Sequence, residues 1–360
     1  MATAGRLGHG DEVDGARRSR TGGACPRGLS PPVLHASMPL TAGLGSAALT
    51  GEDTHMQTAV TQVSDEIKRL ELERYVLQME VDGLTVVPPS VTGVTPEFLD
   101  RCTEVLLTEF TRMTGAPISL ENGPEAELVW PERTGKSRSF LRDEDAPPPT
   151  QMLIQQIMQL DRCFRDLFVN PVVDALIDHA IGPVPFGGAK ARRLSSTNSF
   201  VKWQGEYGYG ESLGLHPDQG ATPRPWGAQA LTANATWCLT EYTKSDGALA
   251  YVPGSHRPGF VASAKVVQQA RPVECERGSV IVWPGSTLHG AFPKLTKGLR
   301  LNAVAYYRHQ SVLPQENMTI TMKDAPWDDC ENADLMRELI GFDDVFPYLK
   351  QSQEVPRAKA

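Results

Sequence analysis

The sequence predicts a mainly β core that is preceded by α-helices. After Gly182-Pro183, short runs of β-branched and aromatic residues alternate with glycine and proline turns, a pattern typical of strands. We expect strands at 195–203, 213–217, 231–241, 248–252, 271–275, 279–283 and 300–308. No helical pattern of any length separates these runs, and many short strands in succession indicate a sandwich, a jelly roll or a barrel.

The segment before the β core predicts helices and one short strand. Thr95 supplies a hydroxyl N-cap and Pro96 suits the first helical turn, so the two together mark the start of a helix. Asn170-Pro171 interrupts a long apolar pattern, and a proline at this point predicts a break between two helical pieces. We expect helical stretches at 57–81, 95–113 and 150–181, and a strand at 84–87.

The chain divides by composition into an N-terminal extension and one domain. Residues 1–55 are rich in Gly, Ala, Ser, Thr and Pro and lack hydrophobic periodicity, so we expect them to be disordered. The rest, 56–350, is expected to form a single domain. Its predicted parts are a helical part at 57–182, a β core at 195–310 and a C-terminal helix and loop segment at 311–350.

The composition is that of an ordinary soluble protein and excludes several classes of function. The 360 residues carry a formal net charge of −8, and 40% of them are hydrophobic. No basic, aromatic-interleaved patch suggests a nucleic-acid partner, and no apolar run has the roughly 18 residues that a membrane helix needs. The six cysteines are scattered, so we expect free thiols and a reducing, cytoplasmic compartment. The sequence does not indicate an oligomeric state.

The stretch with the clearest chemistry is His216-Pro217-Asp218. On a strand, residues i and i+2 point to the same side, so His216 and Asp218 could share a metal ion. A His-x-Asp pair is common by chance and needs a third ligand, for which His289 is the best downstream candidate. Two histidines and one carboxylate form the facial triad that suits non-haem Fe(II) and leaves three coordination positions open.

Three motifs follow one another in the β core. The first is the His-x-Asp pair, and the second is the segment Asp246–His256, which contains Pro-Gly-Ser-His. The third is His289-Gly290 with Arg300 eleven residues after the histidine. Taken together, these motifs resemble those of the phytanoyl-CoA dioxygenase family of Fe(II)/2-oxoglutarate oxygenases. The match covers about 195–310, with a weaker similarity that extends back to about residue 70.

The resemblance implies a fold, a set of cofactors and a role for each site residue. The fold is a double-stranded β-helix, a cupin-like jelly roll, with flanking N-terminal α-helices. His216, Asp218 and His289 would hold Fe(II), with 2-oxoglutarate as cosubstrate and O2 as oxidant. Arg300 would bind the distal carboxylate of 2-oxoglutarate, because a guanidinium fork matches a carboxylate bidentately. Trp237 lies where the family has an aromatic residue beside the cosubstrate, although a buried strand aromatic is an equally good interpretation.

The sequence therefore predicts a dioxygenase that hydroxylates a small-molecule substrate and releases succinate and CO2. The carboxylate of Asp218 favours hydroxylation or desaturation over halogenation, since related halogenases have a small residue at this position. Family members commonly have Ser two residues after the distal histidine, where this chain has Ala291. An alternative is a metal-binding jelly roll without oxygenase activity, which serves ligand binding or isomerisation. The sequence does not identify the substrate.

Overall fold

The computed structural model describes residues 64–129, 149–183, 190–205 and 212–344. Contacts divide the chain into two units, residues 1–58 and 59–360. The expectation of disorder at 1–55 lies outside the described residues, as do the ends of the predicted domain at 56–63 and 345–350. The elements described below all belong to the second unit.

The described residues contain six helices before the main strands, an antiparallel β core and two further helices at the end. The helices are α1 Asp65–Arg69, α2 Glu73–Asp82, α3 Pro89–Thr92, α4 Pro96–Thr114, α5 Arg162–Phe168, α6 Pro171–Ile181, α7 Met318–Thr321 and α8 Ala333–Ile340. The strands are β1 Thr85–Val87, β2 Ile118–Ser119, β3 Gly123–Pro124, β4 Gln151–Gln155, β5 Arg192–Trp203, β6 Thr232–Cys238, β7 Leu249–Tyr251, β8 Arg271–Pro272, β9 Val280–Pro284, β10 His289–Ala291, β11 Leu299–Arg300 and β12 Asn302–His309.

Helix α4 begins and ends where local side chains dictate. The Thr95 hydroxyl accepts a hydrogen bond from the Phe98 amide at 3.3 Å, and Pro96 occupies the first turn. At the other end Gly115 takes a left-handed conformation with φ 73° and donates to the Thr111 carbonyl. The predicted helix start is confirmed, and the predicted end is one residue short.

The predicted helical stretch at 150–181 is correct only in its second part. Asn170 caps α6 by accepting from the Val172 amide at 3.1 Å, so the predicted break between α5 and α6 is confirmed. Residues Gln151–Gln155 instead form β4, which pairs with β5. Met152 and Ile154 fit a period of two as well as a helical period, and pairing with the edge of the sheet decides between them.

Two further expectations need correction. The helix predicted at 57–81 is interrupted, within its described part, between α1 and α2, where Glu71 has φ 56°. The strand predicted at 213–217 is reduced to one isolated bridge between His216 and His289. Leu213 and Gly214 have φ values of 52° and 63°, which an extended strand does not allow.

Within the described ranges, the β core consists of two antiparallel sheets that face each other. The larger, seven-stranded sheet has the order β1-β9-β6-β12-β5-β11, with β4 also paired to β5. The smaller, three-stranded sheet has the order β10-β7-β8. Residues of both sheets line one cavity, so the sheets form the two walls of a jelly roll. The predicted fold class, a double-stranded β-helix flanked by N-terminal helices, is confirmed.

The large sheet separates a helical core from the cavity. Alternate residues of β6 point to opposite sides of the sheet. Ala233, Ala235 and Trp237 pack into the main hydrophobic core, which also contains buried residues of α2, α4, α5 and α6. Asn234 and Thr236 face the cavity on the other side. This alternation puts apolar side chains against the helices and polar ones in the space between the sheets.

Two expectations about the chain as a whole can be compared with the described residues. Cys102, Cys163, Cys238, Cys275 and Cys330 are free thiols there, as expected. None of the described helices combines the length and the apolar character that crossing a membrane requires.

A buried carboxyl at Glu316 makes the stability of the fold depend on pH. Its Oε1 accepts a hydrogen bond from the Thr197 amide at 3.2 Å, but burial dominates and raises the pKa from 4.5 to about 7. Between these two values the folded state binds more protons than the unfolded state. Stability therefore falls as the pH rises through this window, by up to about 3 kcal/mol.

Replacing Glu316 with glutamine is expected to remove this pH dependence. Glu316→Gln keeps the acceptor oxygen and cannot ionise, so it should be more stable than the wild type at pH 8 and nearly equal to it at pH 4.5. Urea unfolding at both pH values measures the difference. The matched control is Glu121→Gln, since Glu121 is exposed. If Glu316→Gln has the same effect at both pH values, Glu316 does not titrate as described.

Candidate metal centre

Three side chains with metal-binding atoms meet between the two sheets. His216 lies on the isolated bridge, Asp218 begins a 3-10 turn that extends to Ala221, and His289 is the first residue of β10. One ligand atom from each of the three residues lies within 4.8 Å of the others. As predicted from the sequence, His216 and Asp218 lie close together. They do not lie on one strand as expected, because the chain turns at Asp218.

The backbone fixes the distance between the two histidines. The His216 amide donates to the His289 carbonyl at 2.9 Å, and the His289 amide donates back to the His216 carbonyl at 3.0 Å. Gly290 permits this approach. A Cβ at that position would lie 2.0 Å from the Leu213 carbonyl oxygen, which is a severe backbone clash. Glycine after His289 therefore holds the segment that contains His216 against β10.

Each imidazole is oriented so that its Nε2 faces Asp218. His216 Nδ1 lies 2.7 Å from the Gly214 carbonyl oxygen, and His289 Nδ1 lies 3.1 Å from that of Thr287. A carbonyl oxygen only accepts, so both Nδ1 atoms carry the proton and donate it. The Nε2 lone pairs are thus directed at the same point, in the arrangement that metal-binding histidines generally have.

The carboxylate of Asp218 completes the group. Its Oδ1 lies 3.3 Å from His216 Nε2, and its Oδ2 lies 3.5 Å from His289 Nε2. Neighbouring ligands of an octahedral ion with bonds of about 2.1 Å lie about 3 Å apart. Asn234 on β6 donates to Asp218 Oδ2 at 2.8 Å and holds the carboxylate in place. The three residues therefore fit an octahedral divalent ion bound through one face.

The pKa values of two of the three side chains are shifted in the direction that metal binding needs. Burial is the largest influence on Asp218 and by itself raises the pKa. The neighbouring imidazoles of His289 and His216 and the hydrogen bond from Asn234 outweigh it, so the pKa of Asp218 lies below its usual value. Burial lowers the pKa of His289, whereas the Asp218 hydrogen bond raises the pKa of His216. Metal binding needs an ionised carboxylate and neutral imidazoles, which the lowered pKa values of Asp218 and His289 favour and the raised pKa of His216 opposes.

The three ligands open into a cavity of about 240 Å³. Its wall also contains Arg300, at the end of β11, whose side chain is 4% exposed. The Arg300 Nη1 donates to the Tyr242 hydroxyl at 2.9 Å, and the Nε has no partner. None of the carboxylates in the described ranges forms an ion pair with Arg300. Burying a cation without a counter-ion costs free energy, so Arg300 favours the binding of an anionic group in this cavity.

Trp237 lies elsewhere. It is fully buried in the main hydrophobic core on the helical side of the large sheet and does not line the cavity. The expectation that Trp237 contacts the cosubstrate therefore needs correction. The other interpretation, that it is a buried aromatic residue of a strand, describes its position. The reason is the period of two in β6, which turns Thr236 to the cavity and its neighbour away from it. Ala291 does line the cavity, as its spacing from His289 predicts.

Sequence reasoning missed two residues that act on the site. Asn234 holds the Asp218 carboxylate, and Tyr242 contacts Arg300. The alternation of β6 indicates that Asn234 and Trp237 face opposite sides, which is a signal available in the sequence. Tyr242 lies in a loop between strands and carries no such signal. His256, the last residue of the Pro-Gly-Ser-His segment, contacts the Glu80 carbonyl through its Nε2 at 3.1 Å and lies outside the metal site.

Comparison with known proteins agrees with this geometry. The sequence profile of the phytanoyl-CoA dioxygenase (PhyH) family matches residues 105–302, which is more than half of the chain and includes the three candidate ligands and Arg300. The chain belongs to the phytanoyl-CoA dioxygenase family. Fe(II) and 2-oxoglutarate are the cofactor and cosubstrate of this family, and the triad and the buried guanidinium are suited to hold them.

Individual relatives of this phytanoyl-CoA dioxygenase family member are distant. Dioxygenase af480 of Aspergillus fumigatus is 28% identical over 177 residues, which are 48% of this chain and 53% of that protein. The chain thus spans about half the length of this curated relative. Among solved structures, AviO1 of Streptomyces viridochromogenes Tue57 has 19% identity and a TM-score of 0.48, over 67% of this chain and 96% of that chain. HygX of Streptomyces hygroscopicus, with nickel and 2-oxoglutarate bound, has 15% identity and a TM-score of 0.46, over 67% of this chain and 88% of that chain.

The support that Asn234 gives to the metal centre is testable. Asn234→Ala removes the hydrogen bond to Asp218 Oδ2 and frees the carboxylate to rotate, so affinity for a divalent ion should fall about 10–100-fold. Calorimetric titration of the apo protein with Mn(II) measures this. Asn332→Ala is the matched control, because Asn332 caps the distant helix α8. Equal Mn(II) affinity of Asn234→Ala and the wild type would show that Asn234 does not support the ligand.

Proposed function

We propose that the protein is an Fe(II)- and 2-oxoglutarate-dependent dioxygenase that hydroxylates an uncharged, polar small molecule. One observation carries the proposal: a two-histidine, one-carboxylate triad and a buried guanidinium without a carboxylate partner line the same cavity. A metal-binding jelly roll without oxygenase activity, the alternative from the sequence, gives no reason for an anion-binding arginine at this place.

The residues of the chain have separate tasks in this reaction. When bound, Fe(II) and 2-oxoglutarate supply the oxidising chemistry, with O2 as oxidant and succinate and CO2 as products. His216, Asp218 and His289 hold the metal on one face and leave the other open to the cavity. Arg300 fixes the distal carboxylate of 2-oxoglutarate. The carboxylate ligand at Asp218 leaves no position for a halide, which supports hydroxylation.

The wall of the cavity supports an uncharged substrate. Apart from the triad and Arg300, its described lining residues are neutral, and several present amides or hydroxyls. Asn198 donates to the Ser196 hydroxyl at 3.1 Å, and that hydroxyl donates to Gln315 at 2.8 Å. The Asn198 Oδ1 is buried and without a partner, so it offers an acceptor to a substrate N–H or O–H. A charged substrate group would find no counter-ion on this wall.

The substrate enters from solution as a free small molecule in this proposal. The free thiols of the described cysteines support a reducing, cytoplasmic compartment. Neither a nucleic acid nor a membrane has a part in the proposed reaction.

Anaerobic titration of the purified protein with Fe(II) and 2-oxoglutarate tests the proposed function. We expect the weak visible charge-transfer band of the complex, and slow formation of succinate once oxygen is admitted. Wild-type protein that gives no band and no succinate would refute the oxygenase proposal. To test the substrate class, polyols and amides are compared with carboxylates and amines of matched size as stimulators of succinate formation. Stimulation by charged compounds alone would refute an uncharged substrate.

A further inference from the structure

A tyrosine hydroxyl lies beside the guanidinium of Arg300. Tyr242 is 1% exposed and lines the same cavity as the metal triad. Its hydroxyl accepts the hydrogen bond from Arg300 Nη1 at 2.9 Å, and the guanidinium carbon lies 5.1 Å from the centre of its ring. Backbone hydrogen bonds with Cys275, at 2.9 and 3.0 Å, hold Tyr242 in this position. The phenol and the guanidinium thus form one rigid polar unit.

The hydrogen-bond donors of this unit that have no partner suit an anionic ligand. Arg300 uses Nη1 for Tyr242, while its Nε and Nη2 donate to no partner among the described residues. These two nitrogens form one edge of the guanidinium, which is the edge that binds a carboxylate bidentately. The Tyr242 oxygen accepts from Arg300, and the Asn302 side chain also contacts it, while Asn302 Oδ1 already accepts from the Phe200 amide. None of the hydrogen bonds among the described residues uses the phenol proton, so that proton is left to donate.

The phenol keeps this proton near neutral pH. Burial raises the pKa of Tyr242, and the opposing influence of Arg300 and of the Asn302 side chain is smaller. A buried O–H donor without an acceptor destabilises the site, so a ligand that supplies an acceptor there gains from it. A carboxylate bound to the free edge of Arg300 has a second oxygen lone pair available for such a donor.

We propose that Tyr242 donates its hydroxyl proton to the distal carboxylate of 2-oxoglutarate, next to Arg300, and thereby helps the site to select a dicarboxylate cosubstrate. This inference rests on the proposed function, because it assigns a residue to the cosubstrate of that reaction. Arg300 supplies the charge and two N–H donors, and Tyr242 supplies a third donor from a different direction. A 2-oxo acid without a distal carboxylate makes none of these contacts.

The test compares two ligands on protein loaded with Mn(II), which supports binding without turnover. The ligands are 2-oxoglutarate and 2-oxopentanoate, which has the same carbon chain without the distal carboxylate. Tyr242→Phe keeps the ring against Arg300 and removes only the hydroxyl. Its Kd for 2-oxoglutarate, measured by calorimetry, is expected to rise about 10-fold or more. Its Kd for 2-oxopentanoate should equal that of the wild type.

Tyr307→Phe is the matched control. Tyr307 is also a buried tyrosine, but it packs into the main hydrophobic core away from the cavity, so neither Kd should change. Tyr242→Met also lacks the hydroxyl and is expected to show the same selective loss of affinity for 2-oxoglutarate. It provides a second measurement if the phenylalanine variant does not fold.

The outcomes separate the inference from the proposed function. An unchanged Kd for 2-oxoglutarate in Tyr242→Phe, or an equal loss for both ligands, would overturn the role of Tyr242 and leave the proposed function standing. Wild-type protein that binds Mn(II) but not 2-oxoglutarate would overturn both.

Discussion

Asp218→Ala is expected to abolish succinate formation, with a loss of about three orders of magnitude or more. The variant leaves two neutral imidazoles, which hold a divalent ion less firmly and with less geometric definition than the triad does. The carboxylate also supplies the negative charge nearest to the ion, since Asp218 is the sole acidic residue among the described lining residues of the cavity. Both effects reduce metal occupancy and the correct placement of the cosubstrate.

Two measurements distinguish loss of the metal from loss of the fold. Calorimetric titration with Mn(II) should show weaker binding by Asp218→Ala, while its thermal unfolding remains cooperative. Asp100→Ala makes the same chemical change and is the control, because Asp100 is exposed and paired with Arg277 on the surface. The assignment of Asp218 as a ligand is wrong if the variant turns over 2-oxoglutarate at the wild-type rate.

Arg300→Lys has the second largest expected effect. Lysine keeps the positive charge but presents a single ammonium in place of the guanidinium edge, so the bidentate contact with a carboxylate is lost. The hydrogen bond from Nη1 to Tyr242, which orients the phenol, is lost as well. Hydrogen bonds to charged groups each contribute about 1.5–3 kcal/mol, so the Kd for 2-oxoglutarate should rise about 10–100-fold.

The effect of Arg300→Lys should be confined to the binding of the cosubstrate. Affinity for Mn(II) is expected to be unchanged, since Arg300 is not a ligand, and the KM for 2-oxoglutarate should rise more than kcat falls. Arg308→Lys on β12, the next strand along the chain, is the control, because Arg308 is buried and donates to the carbonyls of Gln310 and Val312. Unchanged binding of 2-oxoglutarate by Arg300→Lys would show that another group holds the distal carboxylate.

The sequence was most informative where local chemistry decides the structure. The cap at Thr95 and the break at Asn170 depend on hydrogen bonds that span two or three residues, and both are confirmed. The candidate metal triad was recognised for a related reason. His216 and Asp218 are close in sequence, and only a short list of residue types can complete an iron site.

The sequence was least informative where partners far away in the chain decide the structure. Gln151–Gln155 is a strand because the edge of β5 is available to it, and nothing within five residues reveals that edge. Trp237 was assigned to the wrong side of its sheet, because a shift of one residue exchanges the two faces of a strand. The segment before His216 has a left-handed bend at Leu213 and Gly214 in place of the predicted strand.

The sequence by itself thus predicted the β core, the candidate metal ligands and the arginine that is proposed to bind the cosubstrate. Tertiary structure alone decided which neutral side chains surround them. Asn234 reaches Asp218 across sixteen positions, and Tyr242 reaches Arg300 across 58, through strands whose register no local pattern specifies. Ligand types follow from the chemistry of the ion, which is the same in any fold. The groups that orient those ligands follow from the pairing of strands, which depends on the whole chain.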